Sequence, residues 1–70
     1  MAIYKVSYVV AGDPHPGAIL NQSRRPELGE VVRLGMRDFK IIDVFDLVPA
    51  RGEFVYVHVT CRPLQPGEQS

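Results

Sequence analysis

Apolar and polar residues alternate along two stretches, one near each end of the chain. Residues 3–10 carry apolar side chains at every second position, and Lys5 and Ser7 mark the opposite face as the more exposed one. Residues 53–61 repeat this period of two, which is typical of β-strands. In this last predicted strand, alternate residues point to opposite faces. One face carries Val55, Val57, Val59 and Cys61, and the other carries Phe54, Tyr56, His58 and Thr60.

The middle of the chain predicts a β-hairpin. Residues 30–34 and 39–45 form two short strand patterns, joined by a turn at residues 35–38. Residues 28–34 followed by 39–45 resemble the early hairpin of SH3-like barrels, in which a glycine precedes a Val-x-Leu strand. That pattern recurs in many small barrels and names no family. Pro49 and Gly52 interrupt the connection at residues 47–52, and Pro63 ends the last strand.

A long connection separates the first strand from the hairpin. Residues 11–29 contain Pro14, Pro16 and Pro26 and show no strand pattern. We expect residues 18–23 to hold one helical turn, with Ile19 and Leu20 facing inward. Connections of this length are usually functional or disordered, and the apolar pair argues against full disorder.

The apolar residues themselves favour β-structure. The chain has ten valines and four isoleucines, and no long segment keeps a helical stripe. We therefore predict an all-β fold, a small antiparallel sheet of four to five strands curled into an SH3-like or OB-like barrel. The domain is expected to span residues 1–64, and residues 65–70 to form a frayed polar tail.

The length and the net charge of the chain limit the classes of function that we expect. A chain of 70 residues buries only about 60% of its unfolded surface, so we expect a thin core and a domain that is either marginally stable alone or stabilised by a partner. Net charge is zero, with a basic excess before residue 26 and an acidic excess over residues 26–49. Neutrality argues against binding nucleic acid by bulk electrostatics alone.

Cysteine usage and apolar run length suggest the compartment. A single cysteine, Cys61, cannot form an internal disulfide, which favours a reducing setting. Apolar runs are too short to cross a membrane, and the chain begins without a secretory pattern. We expect a cytoplasmic protein that has no membrane partner.

Candidate chemistry is sparse. His58 and Cys61 lie three positions apart on a predicted strand, so they face opposite ways and cannot share a closed metal site. We expect no metal, no cofactor and no enzymatic activity. The adjacent arginines Arg24 and Arg25, with His15 in the same connection, could bind an anion; the alternative is that they pair with Glu27 and Glu30.

The last strand is apolar or aromatic on both faces, so its second face needs a cover. The connection with Ile19 and Leu20 could fold over it, a protein partner or second copy could bind it, or its aromatic residues could stack on single-stranded nucleic acid between Arg51 and Arg62.

We predict a small non-catalytic binding module that binds a protein partner or forms a homo-oligomer. One alternative is a nucleic-acid-binding small barrel, and another is an accessory subunit or small enzyme with an anion site in the connection. The candidate surface residues are Phe54, Tyr56, His58, Asn21, Arg24 and Arg25.

Overall fold

A computed structural model describes residues 3–47 and 54–68 and contains five β-strands. Over this part of the chain there is no helix, so the predicted all-β class is confirmed. Residues 48–52 of the connection predicted at 47–52, and the predicted strand start at Glu53, lie outside the described residues. The strands are β1 (Ile3–Val10), β2 (Ala18–Gln22), β3 (Val31–Leu34), β4 (Arg37–Asp46) and β5 (Phe54–Pro63).

The strands form one mixed sheet in the order β2-β1-β5-β4-β3. The sheet curls into a half-barrel that is consistent with a small SH3-like or OB-like barrel. Three neighbouring pairs are antiparallel, but β1 and β5 run parallel, which corrects the prediction of an antiparallel sheet at that one pair. The parallel pair joins the first strand to the last, so no local turn pattern in the sequence predicts this pairing.

β2 replaces the helical turn predicted at residues 18–23. It pairs antiparallel with β1, with Leu20 opposite Val6 and Ala18 opposite Tyr8. The edge of β1 offers backbone hydrogen-bonding groups that must be paired or solvated, and this segment pairs with them. The Tyr8 hydroxyl also donates a hydrogen bond of 3.0 Å to the Gln22 side-chain carbonyl.

The inward packing predicted for Ile19 and Leu20 is also wrong. Ile19 is 70% exposed and Leu20 is 39% exposed, because β2 lies at the edge of the sheet. Successive strand residues point to opposite faces, so the two side chains flank the edge on both sides.

The core covers one side of the sheet, which we call the inner face. Alternate residues of β1 and β5 meet there, and Val6, Val57, Val59 and Cys61 are fully buried. The two residue sets predicted for the last strand are therefore confirmed. The complete core consists of Val6, Tyr8, Val10, Leu34, Phe39, Ile41, Val57, Val59 and Cys61.

A bulge in β4 shifts which residues reach each face. Ile41 lies opposite Cys61 and Asp43 lies opposite Thr60, so Ile42 is an extra residue on β4. Ile42 is exposed, and beyond it Val44 pairs with the buried Val59.

Residues 13–17 pack on the inner face. The His15 ring meets the fully buried Phe39 ring edge-on, with 5.0 Å between ring centroids. The Arg37 guanidinium lies 5.2 Å from the centre of the same ring and makes two hydrogen bonds of 3.1 and 3.2 Å to Asp13. The Gly17 N–H donates to His15 Nδ1 at 2.9 Å, which fixes the turn. The first part of the long connection therefore covers the core.

Residues 64–68 follow β5 and bring Glu68 back to the sheet. Its carboxylate accepts hydrogen bonds from Arg62 at 2.8 and 2.5 Å. It also accepts one from the Gln65 backbone N–H at 2.9 Å. The domain limits at residues 1–64 and the frayed tail at 65–70 stay predictions.

Candidate functional site

The side of the sheet opposite the core carries the sequence-predicted aromatic residues. On β5, Phe54 is 41% exposed and Tyr56 is 38% exposed. Their rings are nearly parallel, with centroids 6.4 Å apart and an angle of 24° between planes. We call this side the outer face and define it by these residues: Ile3, Lys5, Ser7, Val9, Ile19, Asn21, Lys40, Asp43, Phe45, Phe54, Tyr56, His58, Thr60 and Arg62.

A row of side chains crosses the outer face at its centre. Ser7 on β1 lies between Ile19 on β2 and His58 on β5, and His58 lies opposite Phe45 on β4. The rings of Phe45 and His58 contact each other, with centroids 5.2 Å apart and planes inclined at 43°. Phe45 is 45% exposed. The predicted residue His58 is therefore held between neighbours on the face and is half-buried.

Asn21 belongs to the same face. In the register it lies opposite Lys5, and Lys5 lies opposite Tyr56. Strands in a sheet are about 4.8 Å apart, so Asn21 and Tyr56 are about 10 Å apart across β1. The structure thus brings together four of the six predicted site residues, which are Asn21, Phe54, Tyr56 and His58.

The connection at residues 11–29 does not fold over the outer face. Its first part packs on the inner face through His15, and its β2 segment extends the sheet at the edge. The expectation that Ile19 and Leu20 cover the second face of the last strand is therefore wrong. The aromatic side chains of the outer face are left exposed among the described residues.

Arg24 and Arg25 form ion pairs with carboxylates that do not belong to the outer face. Arg24 pairs with Glu30, and Glu27 is 3.8 Å away. Arg25 pairs instead with Asp46 on β4 at 3.3 Å. The hydrogen bond from Arg24 to Glu30 lowers the pKa of Glu30 and raises the pKa of Arg24. The two guanidinium groups have different carboxylate partners and do not converge on an anion.

Most of the other arginine and lysine side chains also form ion pairs. Arg33 pairs with Asp38, Arg37 with Asp13, and Glu68 pairs with both Lys40 and Arg62. Over residues 3–47 and 54–68, Lys5 is the one lysine or arginine without an acidic partner within 4.0 Å. Arg51, which was expected to flank a nucleic-acid surface, lies outside the described residues.

Cys61 and His58 point to opposite faces, as predicted. The Cys61 thiol is buried on the inner face, where it lies 3.5 Å from the Val9 carbonyl oxygen, and burial raises its pKa. Within the described part of the chain, no three potential metal ligands cluster together. The same residues contain no helix long and apolar enough to cross a membrane.

Phe45 and Ile19 are outer-face residues that the sequence analysis missed. A signal for Phe45 exists in the adjacent isoleucines 41 and 42, since two neighbouring apolar residues interrupt the alternation where the bulge occurs. Ile19 carries no such signal, because its position depends on β2 pairing with a strand far along the chain.

Comparisons with protein-family models, with curated proteins and with solved structures find no significant match to this chain.

Proposed function

We propose that this protein is a small non-catalytic interaction module that binds a protein partner through the outer face. The supporting observation is the exposure of Phe45 on β4 and of Phe54 and Tyr56 on the central strand β5, whose other face carries the fully buried residues Val57, Val59 and Cys61. A sheet with one solvated face normally alternates apolar and polar residues, and β5 departs from this pattern at Phe54 and Tyr56. Contiguous exposed apolar patches mark interaction sites, and aromatic residues are enriched in interfaces.

Electrostatics favour a protein over a nucleic acid as the partner. Phosphate binding depends on free Lys and Arg side chains, and the described arginines are each paired with a carboxylate. On the outer face, Lys5 lies beside Tyr56, and the other two lysine or arginine residues, Lys40 and Arg62, both pair with Glu68. We expect binding to change little with salt concentration, because it depends on apolar contact.

The side chains that could perform chemistry have structural contacts, which supports a non-catalytic role. His15 packs on Phe39, and His58 packs on Phe45. The raised pKa of the buried Cys61 thiol disfavours the thiolate needed of a nucleophile. A cytoplasmic location is part of the proposal, since a lone buried thiol suits a reducing compartment.

Photocrosslinking from the outer face tests the proposal. A photoreactive phenylalanine analogue at position 45 replaces an exposed ring with a similar one. The same analogue at Met36, which is 88% exposed in the hairpin turn, is the matched control. We expect a discrete adduct with a partner protein from position 45 and none from position 36. The adduct should disappear when Tyr56→Ser is added.

Equal adduct patterns from positions 45 and 36, or none from 45, would contradict the proposal. Fluorescence anisotropy with single-stranded oligonucleotides at low salt tests the nucleic-acid alternative. Binding that is lost in Tyr56→Ser and falls steeply with added salt would replace the protein partner by nucleic acid.

A further inference from the structure

β2 is an edge strand with one side open. It is the terminal strand of the sheet, and β1 occupies its other side through five register pairs. No hydrogen bond of the described residues reaches the backbone of 18–22 from outside this pair. A row of unpaired backbone donors and acceptors on an edge strand is a template for pairing with another strand.

The two edges of the sheet differ in their protection. The β3 edge carries Arg33 at its third position, which pairs with Asp38 on β4. Charged residues on an edge strand disfavour pairing with a further strand. The β2 segment has the sequence AILNQ, with no charge, no proline and no glycine. β2 is therefore the edge that lacks the usual protection.

Exposure on both faces points to a partner at the edge. Ile19 points to the outer face and Leu20 to the opposite face, and both are exposed. A molecule lying on either face would cover one of these side chains and leave the other in water. A strand added alongside β2 would contact both, because its own side chains also alternate between faces.

We propose that β2 pairs antiparallel with β2 of a second copy of the chain and joins the two sheets into one. A second copy fits because the segment is uncharged, so that no like charges oppose each other and no charged peptide finds a complement. A register centred on Leu20 brings the two Leu20 side chains together and sets Ile19 beside Asn21 of the second copy. Pairing of β2 with β3 would instead join the copies head to tail and would place Arg33 at the junction.

This pairing would enlarge the outer face. The two-fold axis of an antiparallel β2 pair runs perpendicular to the sheet, so both outer faces lie on the same side. Ile19 then lies at the join between the two apolar surfaces. The inference does not depend on the proposed function, because the edge and the aromatic residues of β5 are separate contacts.

Sedimentation velocity tests the pairing. Five residues make a small interface, so we expect weak association, with the apparent mass rising from that of one 7.8 kDa chain toward twice that value between about 10 µM and about 1 mM. Leu20→Lys and Leu20→Glu should each stay monomeric, because like charges then face each other across the two-fold axis. An equimolar mixture of these two variants should associate again, since the opposite charges meet.

Leu28→Lys, at another exposed leucine outside the strands, is the matched control and should associate as the unmodified chain does. Tyr56→Ser should also associate, which separates this inference from the proposed function. Circular dichroism establishes that each variant is folded. The inference is overturned by a monomer at about 1 mM, by association of Leu20→Lys alone, or by a mixture of folded charge variants that stays monomeric.

Discussion

At the residue scale, Gly17 shows how one position holds the long connection on the core. Its φ of 78° lies in the left-handed region. A Cβ added there would come within 2.2 Å of the Tyr8 carbonyl oxygen in β1. Glycine is therefore required both for the backbone angle and for the close approach to β1. The hydrogen bond from its N–H to His15 then positions the His15 ring against Phe39.

Replacing Gly17 by alanine should destabilise the domain by about 2–5 kcal/mol, from the left-handed backbone and the steric overlap together. Gly12→Ala is the matched control, because Gly12 has a φ of 74° but no atom within 4 Å of an added Cβ. It should cost only about 1–2 kcal/mol. Urea unfolding followed by circular dichroism measures both variants. Equal losses would contradict the close packing of residue 17 on β1.

At the element scale, Glu68 connects the segment after β5 to two strands. Its carboxylate pairs with Arg62 on β5 at 2.5 Å and with Lys40 on β4 at 3.4 Å. The hydrogen bonds from Arg62, with one from the Gln65 N–H, lower the pKa of Glu68 from 4.5 to about 2. Asp13 also has a lowered pKa, mainly through its hydrogen bond from Arg37.

These lowered pKa values predict how stability depends on pH. A carboxylate whose folded pKa lies below its unfolded value stabilises the fold above the unfolded value. For Glu68 this contribution should decline as pH falls below 4.5 and should be gone near pH 2. Glu68→Gln should therefore lose less stability than the unmodified chain over that interval, as measured by urea midpoints at low salt. Identical pH profiles would show that the ion pairs of Glu68 do not stabilise the fold.

The elements also differ in how far the sequence predicts them. The alternation in residues 3–10 predicts β1 with the bounds that it has, because a long period-two pattern is visible without its neighbours. The hairpin and β5 are predicted to within a few residues. β2 is not, since its Leu, Asn and Gln residues suit several conformations and pairing with β1 decides between them.

The outer face could be predicted only in part for the same reason. Phe54, Tyr56 and His58 share one strand, so their common face follows from the period of two. Asn21 joins them only because β2 pairs with β1 and β1 pairs with β5. The ion pair of Arg25 with Asp46 likewise joins residues far apart in sequence, which no local pattern reveals.

At the scale of the whole molecule, β5 holds the sheet together. In the order β2-β1-β5-β4-β3, it is the strand that joins the β1–β2 pair to the β3–β4 hairpin among the described elements. Its residues 57–61 are paired on both sides, and Val57, Val59 and Cys61 on its inner face are fully buried. Both edge strands are shorter, and the exposed side chains of β2 contribute little to the core.

Hydrogen exchange of the native protein should therefore follow the strand order. We expect the amides of β5 and of its neighbour β1 around Val6 to exchange only through global unfolding, because opening them separates the two halves of the sheet. Amides of β2 should exchange at least about tenfold faster through local opening. The measurement is made in dilute solution, where chains do not pair. Equal protection of β2 and β5 there would contradict the central role of β5.

At high concentration, a rise in protection confined to β2 would report strand pairing between copies, because the β3 edge stays free.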